Sequence, residues 1–306
     1  MESKLISRAE EMGPSAVLRR APLLSDFAPR FLNWVDQAPA LAPKTRRYYR
    51  IGWLVIRQTP LVTMTLDRIT TEEVDSLALS GSPSYVNQSL RTLRRLLGKA
   101  EEWQVIARAP RIKLMKELGR EETIEPEIET KLLAVAKQPM KDVLIIAQDT
   151  GLRPEEIFRV RIENIDWNRK EIFNARGKTR ASRRKVLISE RMVDLLMLRC
   201  AGKTKGWLFP SERAASGHLT TVAKQFREAR LAADLPDSLV LYSARHTLGT
   251  AVYQATGNLA LVMKAMGHSD VRTAMRYQHP ALDSLREVID QRNLRHNLRH
   301  NELRVQ

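Results

Sequence analysis

The chain has 306 residues, 43% of them hydrophobic and 28% charged, which allows two ordinary domains and excludes a chain that is disordered throughout. Its formal net charge of +16 attracts polyanions, nucleic acid foremost, although membrane-surface and ribosomal proteins share this bias. The single cysteine, Cys200, excludes an internal disulfide and reads as a packed core thiol. Residues 1–116 hold 19 Lys and Arg against 11 Asp and Glu, and the remainder is basic by the same margin, so two modules rather than one arm face the polyanion. The opening MESKLISRAEEMG has no apolar signal-peptide core and no run reaches a membrane-spanning length, so the chain reads as cytoplasmic, with no membrane partner.

After a leading segment, residues 1–21, apolar positions recur at helical spacing from Pro22 to Trp103: Phe27, Phe31, Trp34 and Val35, then Tyr49, Trp53, Leu54 and Ile56, then Val86, Leu90, Leu93, Leu96 and Leu97. Helix starts are predicted at Ser25-Asp26, at Pro43, at Thr70 to Glu73 and at Ser82-Pro83-Ser84. The result is an all-helical domain over 22–107. Its polar faces carry Lys44, Arg46, Arg47 and Arg50, then Arg91, Arg94, Arg95 and Lys99, which suit phosphate contact and equally suit a solvated helix face.

Residues 108–125 lose periodicity and gather charge around Pro110 and Gly119, and read as a linker. A second domain over 126–290 begins with helices at about 126–137 and 141–149. Two short strands follow, Glu171 to Ala175 and Lys185 to Ser189, joined as a hairpin by the basic run from Arg176 to Arg184, with Arg180 and Arg183 as phosphate-facing candidates. More helices run from about Leu219, and residues 291–306 form a basic tail. The fold class is therefore mainly α with a small antiparallel β-sheet, an α+β domain behind a helical one.

Three segments carry chemistry: Thr150-Gly-Leu-Arg-Pro-Glu-Glu156, Tyr242-Ser-Ala-Arg-His-Thr247, and Leu261-Val-Met-Lys-Ala-Met-Gly-His-Ser269 leading to Arg276-Tyr277. In order and spacing they resemble the boxes of the tyrosine recombinase (phage integrase) family, Xer-like members included, over about 120–285. By position, the N-terminal helices resemble that family's SAM-like core-binding domain. No further arm-binding domain is read before residue 22, which points to the simpler members.

The resemblance implies a site-specific DNA recombinase or integrase that cuts through a 3′-phosphotyrosyl link without ATP, cofactor or metal. Tyr277 matches the nucleophile, and Arg153 and Arg245 match two guanidinium clamps, whose planar forks suit phosphate oxygens. A phenol with a pKa near 10 needs neighbouring positive charge to attack phosphorus, and these two arginines are expected to supply it. Arg153 can also pair with Glu155 or Glu156. Lys178 matches the hairpin lysine that protonates the departing oxygen, with Lys185 as the alternative in so basic a loop.

His268 matches the family's second histidine, and His246 reads as structural. Tyr242 stands where the family most often has histidine. A phenol donates to phosphate but is a poor base near pH 7, so Tyr242 is expected to bind phosphate while His268 carries more of the proton traffic. Double-stranded DNA and a homotetramer on paired sites are the implied partners. A relaxing topoisomerase and a DNA-binding regulator of the same fold are the alternative readings.

Two sharper-looking patterns fail. Gly177-Lys178-Thr179 and Gly202-Lys203-Thr204 lack the earlier glycine of a nucleotide-binding loop, having Ile172 and Met197 there. His296 and His300 have metal-ligand spacing without a third ligand. Leu282, Leu285, Val288 and Ile289, then Leu294 and Leu298, form an amphipathic end that packs either on its own chain or on a neighbour.

Overall fold

The computed structural model describes residues 21–117, 119, 122–175, 183–278, 286, 289 and 290. The chain divides after residue 119 into two units, each with its own core.

In the first unit, α1 (Leu24–Gln37) and α2 (Pro43–Ile56) precede the short α3 (Thr71–Asp75) and the long α4 (Pro83–Glu102). Three of the four predicted starts hold; the first does not, because α1 begins at Leu24 after an uncapped Leu23 and takes Ser25 and Asp26 into its first turn. Pro43 opens α2, the Thr70 side chain accepts from Glu73 N at 3.3 Å, and Ser82 accepts from Tyr85 N at 3.4 Å. Leu24, Phe27, Phe31 and Val35 of α1 meet Leu93, Leu96 and Leu97 of α4 in the core, with Trp34, Tyr49 and Trp53 packed at its edge. Leu54, counted with the apolar stripe of α2, instead points outward at 46% exposure, because Gly52 and Ile56 form the buried face.

The stretch read as a linker is anchored at both ends. Ile112 is buried in the first core and Ile124 in the second, single apolar residues that no periodicity reveals.

In the second unit, α5 (Pro126–Val135) and α6 (Met140–Thr150) lead through α7 (Pro154–Ile157) to the sheet. The sheet has three antiparallel strands in sequence order, β1 (Ile165–Asp166), β2 (Glu171–Phe173) and β3 (Lys185–Leu187), with Ile172 opposite both Ile165 and Val186. Both predicted strands are shorter than expected, and β1, two residues long, carries too little alternation to be read from sequence. Then come α8 (Glu190–Cys200), α9 (Ala223–Ala232), α10 (Leu241–Thr256), α11 (Leu259–Met266), α12 (Val271–Ala274) and a 3₁₀ turn, Met275–Tyr277.

The main core gathers residues of α6, the sheet and α8, including Cys200 as a buried thiol, and a smaller cluster holds Val262, Met266, Ala274 and Tyr277. Among the described residues no helix is long and apolar enough to cross a membrane. Lys178, Arg180, His296, His300, Leu282, Leu285, Val288, Leu294 and Leu298 lie outside the described residues.

Candidate active site

Helix α6 buries Val143, Leu144, Ile146 and Ala147 and stops at Gly151, whose φ of 61° is the left-handed conformation that ends a helix without penalty only in glycine. Two residues on, Arg153 caps α7, with Pro154 at its first position. The Glu156 carboxylate takes the Arg153 backbone N–H at 2.9 Å and its guanidinium Nη1 at 2.9 Å. The pairing anticipated from sequence is thus made by Glu156, yet the Arg153 side chain remains 36% exposed.

Arg245 projects from α10 and is fully buried. Its Nη1 donates to Gly151 O, and its Nη2 donates to Met266 O and approaches His268 Nε2 at 3.1 Å. One side chain therefore ties together the carbonyl-bearing ends of α6 and α11, where partial negative charge accumulates. Burial, then the nearby Arg153 charge, lower its pKa. Its Nε, although buried, has no hydrogen-bond partner among the described residues.

Helix α11 ends at Gly267, φ 64°, and the turn is closed by His268 N donating to Met263 O at 2.9 Å. An arginine only donates, so His268 Nε2 accepts and Nδ1 carries the ring proton of the neutral form. That Nδ1 is buried and also without a partner among the described residues. Burial, and then the charges of Arg245, Arg153 and Arg184, bring the His268 pKa down to about 4. His268 is therefore neutral at pH 7. The expected proton traffic through it near neutrality requires an anion to raise that value.

Tyr277 closes the site from the same chain. Its ring is stacked on His268 at 6.0 Å and 8°, meets His246 at 5.6 Å, and is 3% exposed. Burial pushes its pKa up to about 12, and the opposing pull of Arg245 does not outweigh it. This corrects the expectation that two arginines offset the ordinary phenol value, because desolvation of the phenolate is the larger effect in the unbound chain. Tyr242 is 39% exposed, with its ring edge-on to His246 at 5.2 Å. His246 thus bridges the two phenols by packing.

Five of the six sequence-predicted residues, Arg153, Tyr242, Arg245, His268 and Tyr277, gather in one cluster; Lys178 is the sixth. The alternative lysine, Lys185, pairs across the sheet with Glu171 at 2.9 Å. Sequence reading passed over Arg184, whose Nε donates to Ala265 O at 2.9 Å and whose Nη1 lies 3.8 Å from Glu156. It also passed over Gly249, four residues after Arg245 on the same helix face, although an isolated glycine inside a helix is a signal of close approach.

In the first unit most of the proposed phosphate contacts have intramolecular partners. Arg46 donates to Leu41 O and Ala38 O at 3.0 Å each, and Arg50 pairs with Asp36. Arg91 pairs with Glu117 at 2.9 Å, Arg94 donates to Ile112 O, and Arg95 pairs with Glu102 at 2.7 Å while lying over Trp34. Lys99 also pairs with Glu102. Arg47 and, in the second unit, Arg183 are exposed, as is Lys44, which also has an interaction within the chain.

Residues 122–283, just over half of the chain, match the model of the phage integrase family. The integrase of Escherichia phage P2 is 26% identical over 218 residues, covering 70% of this chain and 60% of that protein. The tyrosine recombinase XerS of Streptococcus mutans is 24% identical over 279 residues, 85% of this chain and 77% of the relative. Among solved structures, the Tn1549 transposon integrase in complex with circular intermediate DNA shares the fold with a TM-score of 0.72 at 16% identity, covering 88% of this chain and 99% of that one. A lambda integrase dimer bound to a COC′ core site gives 0.68 at 17% identity, covering 90% and 81%. With that match over the segment that carries the cluster, the chain belongs to the phage integrase family.

Proposed function

We propose that this protein is a site-specific DNA recombinase that cuts and rejoins strands through Tyr277. The single observation that supports the reading best is the convergence of the Tyr277 ring, His268 and the buried Arg245 within one chain. Arg245 uses only part of its five-donor guanidinium on Gly151, Met266 and His268. Its unpartnered Nε–H and the Nδ1–H of His268 are buried donors of the kind that a phosphate oxygen satisfies.

In this reading Arg153, half-held by Glu156, takes a non-bridging oxygen from the exposed side, and Tyr242 donates a hydrogen bond beside it. The Tyr277 hydroxyl attacks phosphorus as its proton passes to His268, whose basicity the arriving phosphate raises; a phosphotyrosyl ester forms at the 3′ side as the bond to the 5′-oxygen breaks, and that oxygen leaves with a proton from Lys178. One phosphodiester replaces another, so rejoining needs no ATP, and in this reading the guanidiniums of Arg153 and Arg245 neutralise the charge that a metal would otherwise meet. The partner is double-stranded DNA, gripped in part by Arg47 and Arg183, with Lys44, Arg46, Arg50, Arg91, Arg94 and Arg95 exchanging their present partners for phosphate. Four copies act on two paired sites.

A nicked suicide substrate tests this. Covalent protein–DNA adduct is expected with the parent chain, in the presence of EDTA, and none with Tyr277→Phe. A gel shift without adduct would mean a DNA-binding protein without strand cutting, and loss of adduct in EDTA would refute the metal-free chemistry.

A further inference from the structure

Four buried donor atoms without a hydrogen-bond partner among the described residues lie in this one cluster: Arg245 Nε, His268 Nδ1, and both terminal nitrogens of Arg184. The first two belong to residues already given a role. Arg184 has none, and its side chain is 91% buried, its relative exposure being 9%. It enters from just before β3, and its Nε holds the Ala265 carbonyl at the end of α11, next to the Met266 carbonyl held by Arg245. Its Nη1 faces Glu156 at 3.8 Å, close enough for ion pairing but too long for a hydrogen bond. Glu156 is therefore a single buried carboxylate shared by two guanidiniums, those of Arg153 and Arg184.

That sharing has a direction. A buried carboxylate left with one cation concentrates its attraction on that cation, since low polarity strengthens the interaction. Without Arg184, Glu156 would hold Arg153 alone, and that partly exposed guanidinium would be neutralised at the point where a phosphate must arrive. The same loss would free the Ala265 carbonyl at the base of the turn that presents His268.

We infer that Arg184 is a positioning residue of the reaction centre, acting through Glu156 to leave Arg153 available and through Ala265 to fix the His268 turn. The inference rests on the proposed reading of the cluster as a phosphate-cutting centre. Burial brings the Arg184 pKa down to about 10, still well above neutrality, so the side chain is a cation under working conditions.

The test is single-turnover adduct formation on the suicide substrate at saturating DNA, with DNA affinity and Tm measured alongside. Arg184→Met is expected to slow adduct formation about tenfold or more while DNA affinity changes little. Adding Glu156→Gln should restore part of the rate, because the uncharged amide keeps the cap on Arg153 N but no longer captures its guanidinium. A purely structural role predicts no rescue, since the double variant has lost a second native contact. Arg184→Lys, which keeps a cation but reaches one acceptor at a time, should fall between the parent and Arg184→Met, and it carries the comparison if Arg184→Met does not fold. Arg184→Lys at the parental rate, or Arg184→Met without rescue by Glu156→Gln, overturns the inference alone. Absence of adduct with the parent chain overturns the cutting reading and the inference with it.

Discussion

A β-carbon placed on Gly249 would lie 2.5 Å from both Cε1 and Cζ of the Tyr277 ring. The phenol therefore rests directly on the backbone of α10, one turn beyond Arg245, and its seat exists only because position 249 has no side chain.

Gly249→Ala should accordingly push Tyr277 out of its place. Alanine inside a helix normally stabilises by about 1 kcal/mol over glycine, whereas here overpacking should cost about 1–3 kcal/mol. In a Tyr277→Ala background the cost should vanish or reverse. Chemical denaturation of the two single variants and the double variant measures this coupling, and additive effects would show that the ring does not sit where described.

Arg245→Lys should lose both strand cutting and stability. An ammonium cannot reach Gly151 O, Met266 O and His268 together as the guanidinium does, and buried carbonyls left without donors cost about 2–5 kcal/mol together. Tyr277→Phe, by contrast, should abolish adduct while keeping stability within about 1 kcal/mol of the parent. Paired thermal melts and suicide-substrate assays separate the two; equal stability of Arg245→Lys and the parent would exclude the anchoring role.

Acid should act through His268. Its folded pKa of about 4 lies below the ordinary value of 6.5, so the unfolded chain takes up the proton first. The stabilisation from keeping it neutral is complete above pH 6.5 and is lost as pH falls towards 4, by up to about 3 kcal/mol. The stability difference between the parent and His268→Gln should shrink over that window. A difference independent of pH would mean that His268 is not held neutral.

Tyr242→Phe keeps the packing against His246 and removes only the hydroxyl. Melting should be unchanged while adduct formation slows about tenfold, the effect of one hydrogen bond to a charged group. A parental rate would exclude Tyr242 as a phosphate ligand, and a gain in Tyr242→His would favour it.

The helical class and the hairpin were legible because periodicity and turn residues report on whole elements, and the family was legible through the order of its three boxes. What each site residue touches was not. Between 176 and 185 basic residues crowd together, and nothing in composition distinguishes Arg184, which folds inward against Ala265, from Arg183, which stays exposed. The role of Arg245 as a tie between two helix ends depends on bringing residues 94 and 21 positions away to one guanidinium, a tertiary event that no local pattern records. The expectation for the Tyr277 pKa went wrong for a related reason: charge can be counted in a sequence, but desolvation cannot.

At the end of α11 both arginines, whatever side chains they also meet, hold the chain by peptide oxygens, those of Ala265 and Met266. Every amino acid supplies such an oxygen, so the identities of residues 265 and 266 are uncoupled from the grip itself and answer only to packing. Drift at these positions can proceed without dismantling the support beneath His268, provided the chain keeps its path, which makes the route of the backbone, more than its decoration, the heritable element of this cluster.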